Sequence, residues 1–191
     1  MQLIFIIEHL EPRVFEWCLI EYKHISKIVG KENLWFTNIR SKKGAASLEQ
    51  YGRRIQESVS TLDLKHACVL DPAAHKTLQP GEAKKFKYFI FGGILGDNPP
   101  KERTKKELTP LLPYAAVRNI GKEQMSTDNA VRVVKEIARG KKLSELKFQD
   151  GIEIPLNRVE SVLLPYRYRL VRGKPFISAE LIRYLKRKKG V

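Results

Sequence analysis

An α/β fold built on a mainly parallel sheet is what this sequence predicts. Short apolar runs alternate with stretches whose apolar residues recur at helical spacing, the pattern of strands joined by crossover helices. The run Tyr88-Phe89-Ile90-Phe91 has no polar alternation, as suits a strand covered on both faces. Gly92, Gly93 and Gly96 follow it directly, and ligands collect at such strand ends.

Taken in order, residues 2–7 form a strand. Pro12 then opens a helix carrying Val14, Trp17, Cys18, Tyr22, Ile25 and Val29 along one side, and Gly30 stands where a helix ends. Leu34-Trp35-Phe36-Thr37 is the next strand, followed by the basic loop Arg40-Ser41-Lys42-Lys43-Gly44. Ser47 with Gln50 three residues on has the capping-box order, which predicts a helix with Leu48, Tyr51, Ile55, Val59 and Leu62 on one face. Ala67-Cys68-Val69-Leu70 is a strand closed by Asp71-Pro72, and Pro80-Gly81 marks a turn before the central strand. Pro99-Pro100 break regular structure, so a short helix fits only from Arg103 to about Leu108. Residues 114–117 form another strand. Ser126 or Thr127 then caps a helix with Ala130, Val133, Val134 and Ile137 inward, ended by Gly140. Residues 148–156 and 160–170 are extended. Ser178 begins a last helix, with Ile177 and Ile182 as a hydrophobic staple and Leu181 and Leu185 buried. With no internal repeat, the 191 residues make one domain with a basic C-terminal segment from about residue 164.

Composition narrows the function. No apolar run is long enough to span a membrane, and residues 1–8 lack the flank and cleavage site of a signal peptide, so a cytoplasmic location is expected. Cys18 and Cys68 lie in apolar patterns and read as reduced core residues, and four scattered histidines give no metal-ligand spacing. A net charge of +15 favours encounter with polyanions such as RNA. The charge is uneven: residues 1–35 hold five acids against four bases, and residues 164–191 hold nine bases against one acid. The terminal Lys186-Arg187-Lys188-Lys189 is either a solvated tail or a phosphate contact.

Gly92-Gly93-Ile94-Leu95-Gly96 is neither a dinucleotide fingerprint nor a P-loop, because Pro99-Pro100 intervene before any helix and no Gly-Lys followed by Ser or Thr is present. Such a turn either serves the backbone alone or holds a ligand edge by main-chain groups, with Ile94, Leu95, Ile120 and Met125 as apolar walls. A second glycine-bearing segment, 118–128, would be the facing wall. Either Asp97 or Asp128 could hold a ligand hydroxyl or amine; for Asp128 the start of a helix is the better role, and Asp97 is balanced between a ligand and a structural role. Glu8, Glu11, Glu16 and Glu21 cluster in an otherwise basic chain, as a solvated face or as a fork for a guanidinium.

Several of these stretches together resemble the SPOUT class of S-adenosylmethionine-dependent methyltransferases. They are Ile6-Ile7-Glu8-His9 with Glu16-Trp17 and Glu21-Tyr22, Leu70-Asp71-Pro72, Phe91 to Asp97 with Pro99-Pro100, and Gln124-Met125 with Thr127-Asp128. The similarity is greatest to the subgroup that holds a yeast protein arginine methyltransferase and archaeal relatives usually labelled RNA methyltransferases. The resemblance implies an α/β knot whose C-terminal part threads a loop as a trefoil, with a mainly parallel sheet and helices on both faces. It implies S-adenosyl-L-methionine as cofactor, held by Leu70, Asp71 and Pro72, by Gly92, Gly93, Ile94, Leu95, Gly96 and Asp97, and by Asn119, Ile120, Gly121, Gln124, Met125, Ser126 and Thr127.

The resemblance also implies an acceptor in the translation machinery, with a ribosomal-protein arginine ahead of an RNA nucleotide. A non-catalytic RNA- or ribosome-binding protein is the alternative, and either a monomer or a homodimer fits. For an arginine acceptor Glu8 is the first catalytic candidate, with Glu16 and Glu21 behind it. For RNA, Arg167, Arg169, Arg172 and residues 186–189 would meet phosphates.

Overall fold

The computed structural model describes residues 2–188. Six strands form one sheet: β1 (Ile4–His9), β2 (Leu34–Thr37), β3 (Arg53–Arg54), β4 (Ala67–Leu70), β5 (Tyr88–Gly93) and β6 (Ala116–Arg118). Their order is β3-β2-β1-β5-β4-β6, and every pairing is parallel. β1 and β5 sit at the centre, with Ile6 beside Ile90 on one side and Trp35 on the other. That position explains why neither strand alternates in polarity, since both faces are covered.

One face carries the helices α1 (Glu16–Val29), α2 (Lys42–Leu48), α3 (Pro80–Ala83) and α4 (Thr127–Ala138). Phe5, Ile7, Phe89 and Phe91 pack there under Cys18, Tyr22 and Ile25 of α1 and Val131, Val134 and Ile137 of α4. Ile4, Ile6, Val69 and Ile90 fill the other face, covered by Val59 and Leu108 from short helical turns and by Leu64 and Leu112 from the segments after such turns. Cys18 and Cys68 are free and buried, and burial pushes both thiols up to about 12, which leaves them unreactive. Gly30 ends α1 at a positive φ of 85°, donating its N–H to the Ser26 carbonyl.

Two expected helices differ. The first begins at Glu16 rather than at Pro12, because Glu11 is drawn to the Leu95 N–H and Arg103 and Leu10 donates to the Gly93 carbonyl. The helix expected after Ser47 ends there instead: α2 is capped by Ser41, whose hydroxyl accepts from the Gly44 N–H at 3.0 Å, and it stops at Leu48. Residues 53–54 then pair with β2 as an edge strand, and the Ile55 N–H reaches the Phe36 carbonyl. Gly52 allows that approach, since a Cβ there would lie 2.6 Å from the Leu34 carbonyl oxygen. Leu48 and Val59, expected on one helix face, end on opposite sides of the sheet.

The C-terminal part is a separate antiparallel sheet of β7 (Phe148–Pro155), β8 (Ser161–Val171) and β9 (Lys174–Pro175), followed by α5 (Ala179–Lys188). Ile152, Ile154, Leu164 and Tyr168 form its core, against which Trp17, Ile177, Ile182 and Leu185 pack. Leu181 and Tyr184 of α5 dock on Ile20 of α1. The basic segment from residue 164 is therefore the second half of a hairpin joined to α1. Lys189 of the basic tail lies outside the described residues.

Candidate active site

Three turns leave the same end of the sheet and enclose a cavity of about 620 Å³. The first follows β4. Asp71 shapes it by accepting from the Ala73 N–H at 2.9 Å and the Thr109 hydroxyl at 2.7 Å, while its own N–H donates to the Arg118 carbonyl. The second follows β5, and Glu11 holds it by accepting from the Leu95 N–H at 2.9 Å and from Arg103 at 2.6 Å. Arg103 is fixed in turn by both carboxylate oxygens of Glu107.

The third turn, 119–127, is clasped to the second. Gln124 donates to the Asp97 carbonyl at 3.2 Å, and the Tyr166 hydroxyl of β8 donates to the Gly96 carbonyl at 3.0 Å. Gly96 sits so close under these groups that a Cβ would lie 2.6 Å from both Gln124 Nε2 and Tyr166 Cε1. The Arg167 N–H donates to the Gln124 carbonyl, so the hairpin fixes the third turn as well.

Most residues expected at the site line this cavity: Leu70, Asp71 and Pro72; Gly92, Ile94, Leu95, Gly96 and Asp97; and Ile120, Gly121, Gln124, Met125 and Thr127. Three expected residues do not. Gly93 is a packing glycine, since a Cβ there would meet the Tyr22 hydroxyl at 2.2 Å and the Glu8 carbonyl oxygen at 3.1 Å. Asn119 faces the first turn, where its amide donates to the Ala74 carbonyl and its oxygen accepts from Thr77 and the Gly121 N–H. Ser126 donates to Asp128.

The candidate carboxylates separate. Glu8 is fully buried away from the cavity lining, accepting from the Ser58 hydroxyl at 2.6 Å, the Val59 N–H at 3.0 Å and the Thr37 hydroxyl, so it ties β1 to β2 and the following turn. Glu16 is exposed and pairs with Arg187 of α5. Glu21 is the one beside the site. It is 7% exposed, accepts from the Trp17 indole N–H at 2.8 Å, and has the hydroxyl and N–H of Thr127, a cavity residue, as further polar neighbours. Burial, then the nearby Asp128, push its carboxyl up to about 8 despite those hydrogen bonds. Asp128 itself meets His24 at 2.7 Å.

Two arginines expected on phosphates are internal. Arg167 pairs with Asp150 and Glu123, and Arg169 with Glu136. Glu11, Arg103 and Tyr166 were not singled out individually as site residues by sequence. Glu11 belonged to the acidic cluster, and Tyr166 sits in the run Tyr166-Arg167-Tyr168-Arg169, whose strand period turns both tyrosines to the same face.

The sequence model of the family described as "Protein arginine N-methyltransferase SFM1-like" matches residues 4–190. The chain belongs to this family. It is similar to protein arginine N-methyltransferase SFM1 of Saccharomyces cerevisiae, with 34% identity over 200 residues that cover 96% of this chain and 94% of that one. The crystal structure of yeast SFM1 complexed with SAM superposes with a TM-score of 0.91 at 34% identity, covering 100% of this chain and 93% of the other. A dual-specific Trm10 of Thermococcus kodakaraensis shares the fold, with a TM-score of 0.59 at 17% identity over 75% of this chain and 96% of its own. The SFM1-like chain thus has the SPOUT-type α/β architecture expected from its sequence.

Proposed function

We propose that this SFM1-like chain transfers the methyl group of S-adenosylmethionine to a guanidinium nitrogen of a protein arginine. One observation carries the reading: a cavity of about 620 Å³, walled by three turns and apolar side chains, in a chain 34% identical over its whole length to a yeast arginine methyltransferase whose structure holds SAM. Backbone groups of Gly92, Gly96 and Gly121 suit the edge of an adenine, and Ile94, Leu95, Ile120 and Met125 suit its faces. Leu70 to Pro72 and Thr127 complete the proposed donor contacts.

In the reaction the donor's sulfur–methyl bond breaks as a nitrogen–methyl bond forms, the nitrogen gives up a proton, and S-adenosylhomocysteine leaves. Because the methyl carbon is already activated, the protein's work is to align donor and nitrogen and to accept that proton.

The acceptor arginine is proposed to lie on a ribosomal protein presented beside RNA. Support comes from the net charge of +15 and from Arg172, Lys174, Arg183 and Lys186, all exposed on the C-terminal module. The trefoil threading belongs with the same reading. Residues 119–124 are hydrogen-bonded to the 74–78 turn on one side and to Asp97 and Arg167 on the other, as a threaded segment would be.

Calorimetry with S-adenosylmethionine and S-adenosylhomocysteine tests the donor, and the absence of heat with both would overturn the enzymatic reading. Transfer of a labelled methyl group into ribosomes tests the acceptor. Label released by protease and recovered as methylarginine is expected, whereas label released by ribonuclease would move the acceptor to RNA.

A further inference from the structure

A second cavity, of about 380 Å³, opens where β1 and β2 finish. It adjoins the donor cavity through Glu11, which lines this one and accepts from Leu95 and Arg103 of the other. Asn38 shapes it. At a φ of 60°, a left-handed conformation that asparagine tolerates, Asn38 turns the chain after β2 and donates its amide to the His9 carbonyl at 2.7 Å. Its side-chain oxygen accepts from Arg40 Nε at 3.0 Å, which leaves the rest of that guanidinium uncommitted. Arg13, from the segment before α1, lies over the Phe15 ring at 4.8 Å. Neither arginine has a carboxylate partner among the described residues.

The buried wall of this cavity is His9, 3% exposed, whose Nδ1 meets the Tyr22 hydroxyl at 2.8 Å. That hydroxyl has no other partner among the described residues, so it donates to Nδ1 and the ring proton sits on Nε2. Nε2 is buried without a hydrogen-bond partner, the Arg13 backbone being near it but outside hydrogen-bond geometry. Burial lowers the pKa of the ring, which makes it a neutral donor. The Ser41 hydroxyl accepts from the Gly44 N–H and keeps its own proton to donate. Every uncommitted polar side chain of the cavity is thus a donor, and its one carboxylate, Glu11, is already shared between Leu95 and Arg103.

We infer that this cavity binds a backbone phosphate of RNA, one wall away from the methyl donor. This rests on the reading that the acceptor arginine is presented beside RNA, and it names a place where that RNA is held. Two unpaired guanidiniums offer planar forks to the non-bridging phosphate oxygens, and Ser41 and His9 add neutral donors beside them. The net charge of +15 favours a polyanion over a single carboxylate as the guest. Because Arg13 and Arg40 line one cavity, they serve one phosphate together.

The test titrates the full chain, with and without S-adenosylhomocysteine, against a short fluorescent oligouridylate at several salt concentrations. Arg13→Gln combined with Arg40→Gln should weaken binding about tenfold and lower the salt slope by about 1, as loss of one phosphate contact requires. Lys31→Gln combined with Lys84→Gln removes the same charge at the opposite end of the sheet, just before β2 and β5, and should cost about twofold at most. His9→Phe leaves the net charge unchanged and should weaken binding about threefold by removing the ring donor. Should His9→Phe fail to fold, the exposed arginine pair decides by itself. Inorganic phosphate should displace the oligouridylate from the wild type more effectively than Nα-acetyl-glutamate amide does. Equal losses in the two double variants would reduce the effect to net charge and overturn the site. Stronger displacement by the glutamate probe would also overturn it, assigning the cavity to a protein carboxylate. Failure to bind S-adenosylhomocysteine would remove the methyltransferase reading, and the comparison of the two double variants would still judge the phosphate site.

Discussion

Glu21 on α1 and Glu136 on α4 are both almost fully buried, 7% and 6% exposed, yet their surroundings are opposite. Glu136 accepts from Arg132 at 2.7 Å, Arg169 at 3.0 Å and Lys141 at 3.1 Å. Burial alone would raise its carboxyl, but those three cations hold it down at about 2. Glu21 has hydrogen-bond donors without positive charge, and burial with Asp128 raises it. A carboxylate that fastens the hairpin to α4 is complete in the free protein. Among the described residues Glu21 has no cation beside it and stays under-compensated, the condition that a group beside a binding cavity can exploit.

The sharpest way to break this contrast is to remove each charge in turn. Glu136→Gln leaves Arg132, Lys141 and Arg169 without their shared anion and should cost about 3 kcal/mol in urea unfolding, with donor affinity unchanged. Glu21→Gln should do the reverse, keeping the fold while lowering methyl transfer to arginine about 100-fold, or about 2.7 kcal/mol of transition-state stabilisation. Equal losses of stability in the two variants would erase the distinction.

Titration sharpens it. The lowered Glu136 carboxyl contributes stability that is present above the unfolded value near 4.5 and lost as pH falls towards about 2. The raised Glu21 carboxyl acts in the opposite sense, because the folded state holds its proton where the unfolded chain has released it. Stability therefore falls as pH rises from about 4.5 to about 8, by at most about 1.4 kcal/mol for each pH unit. Melting of Glu21→Gln against the wild type at pH 5 and pH 8 should show the variant gaining ground at the higher pH. The smallest effect belongs to Glu11→Ala, which frees the Leu95 N–H and Arg103 and should weaken S-adenosylmethionine about tenfold by loosening the second turn.

Much of this was legible in the residues. The unbroken apolar runs of β1 and β5 announced a doubly covered parallel sheet, and Ser126 to Gly140 gave α4 nearly to the residue. The cavity was legible too, because its walls are contiguous turns after strands, and a turn's glycines and apolar residues are local facts. The acidic cluster was harder. Glu8 and Glu21 look alike in sequence, but one points into a nest of Thr37, Ser58 and Val59 and the other at Trp17 and Thr127. The misread helix after Ser47 failed for the same cause, since the pairing of β3 with β2 outweighed a local helical pattern.

The sequence by itself determined the fold class, the family and the turns that form the cavity, because periodicity, glycine placement and chain order are carried by neighbouring residues. Only the tertiary structure decided which acid lies beside the cavity, which arginines are spent on internal pairs, and that Tyr168 buries a hydroxyl without a partner among the described residues. The physical reason is distance along the chain. A charge or hydroxyl takes its meaning from the groups that surround it, and for Glu21 one of them, Thr127, is brought alongside only when α4 packs on α1.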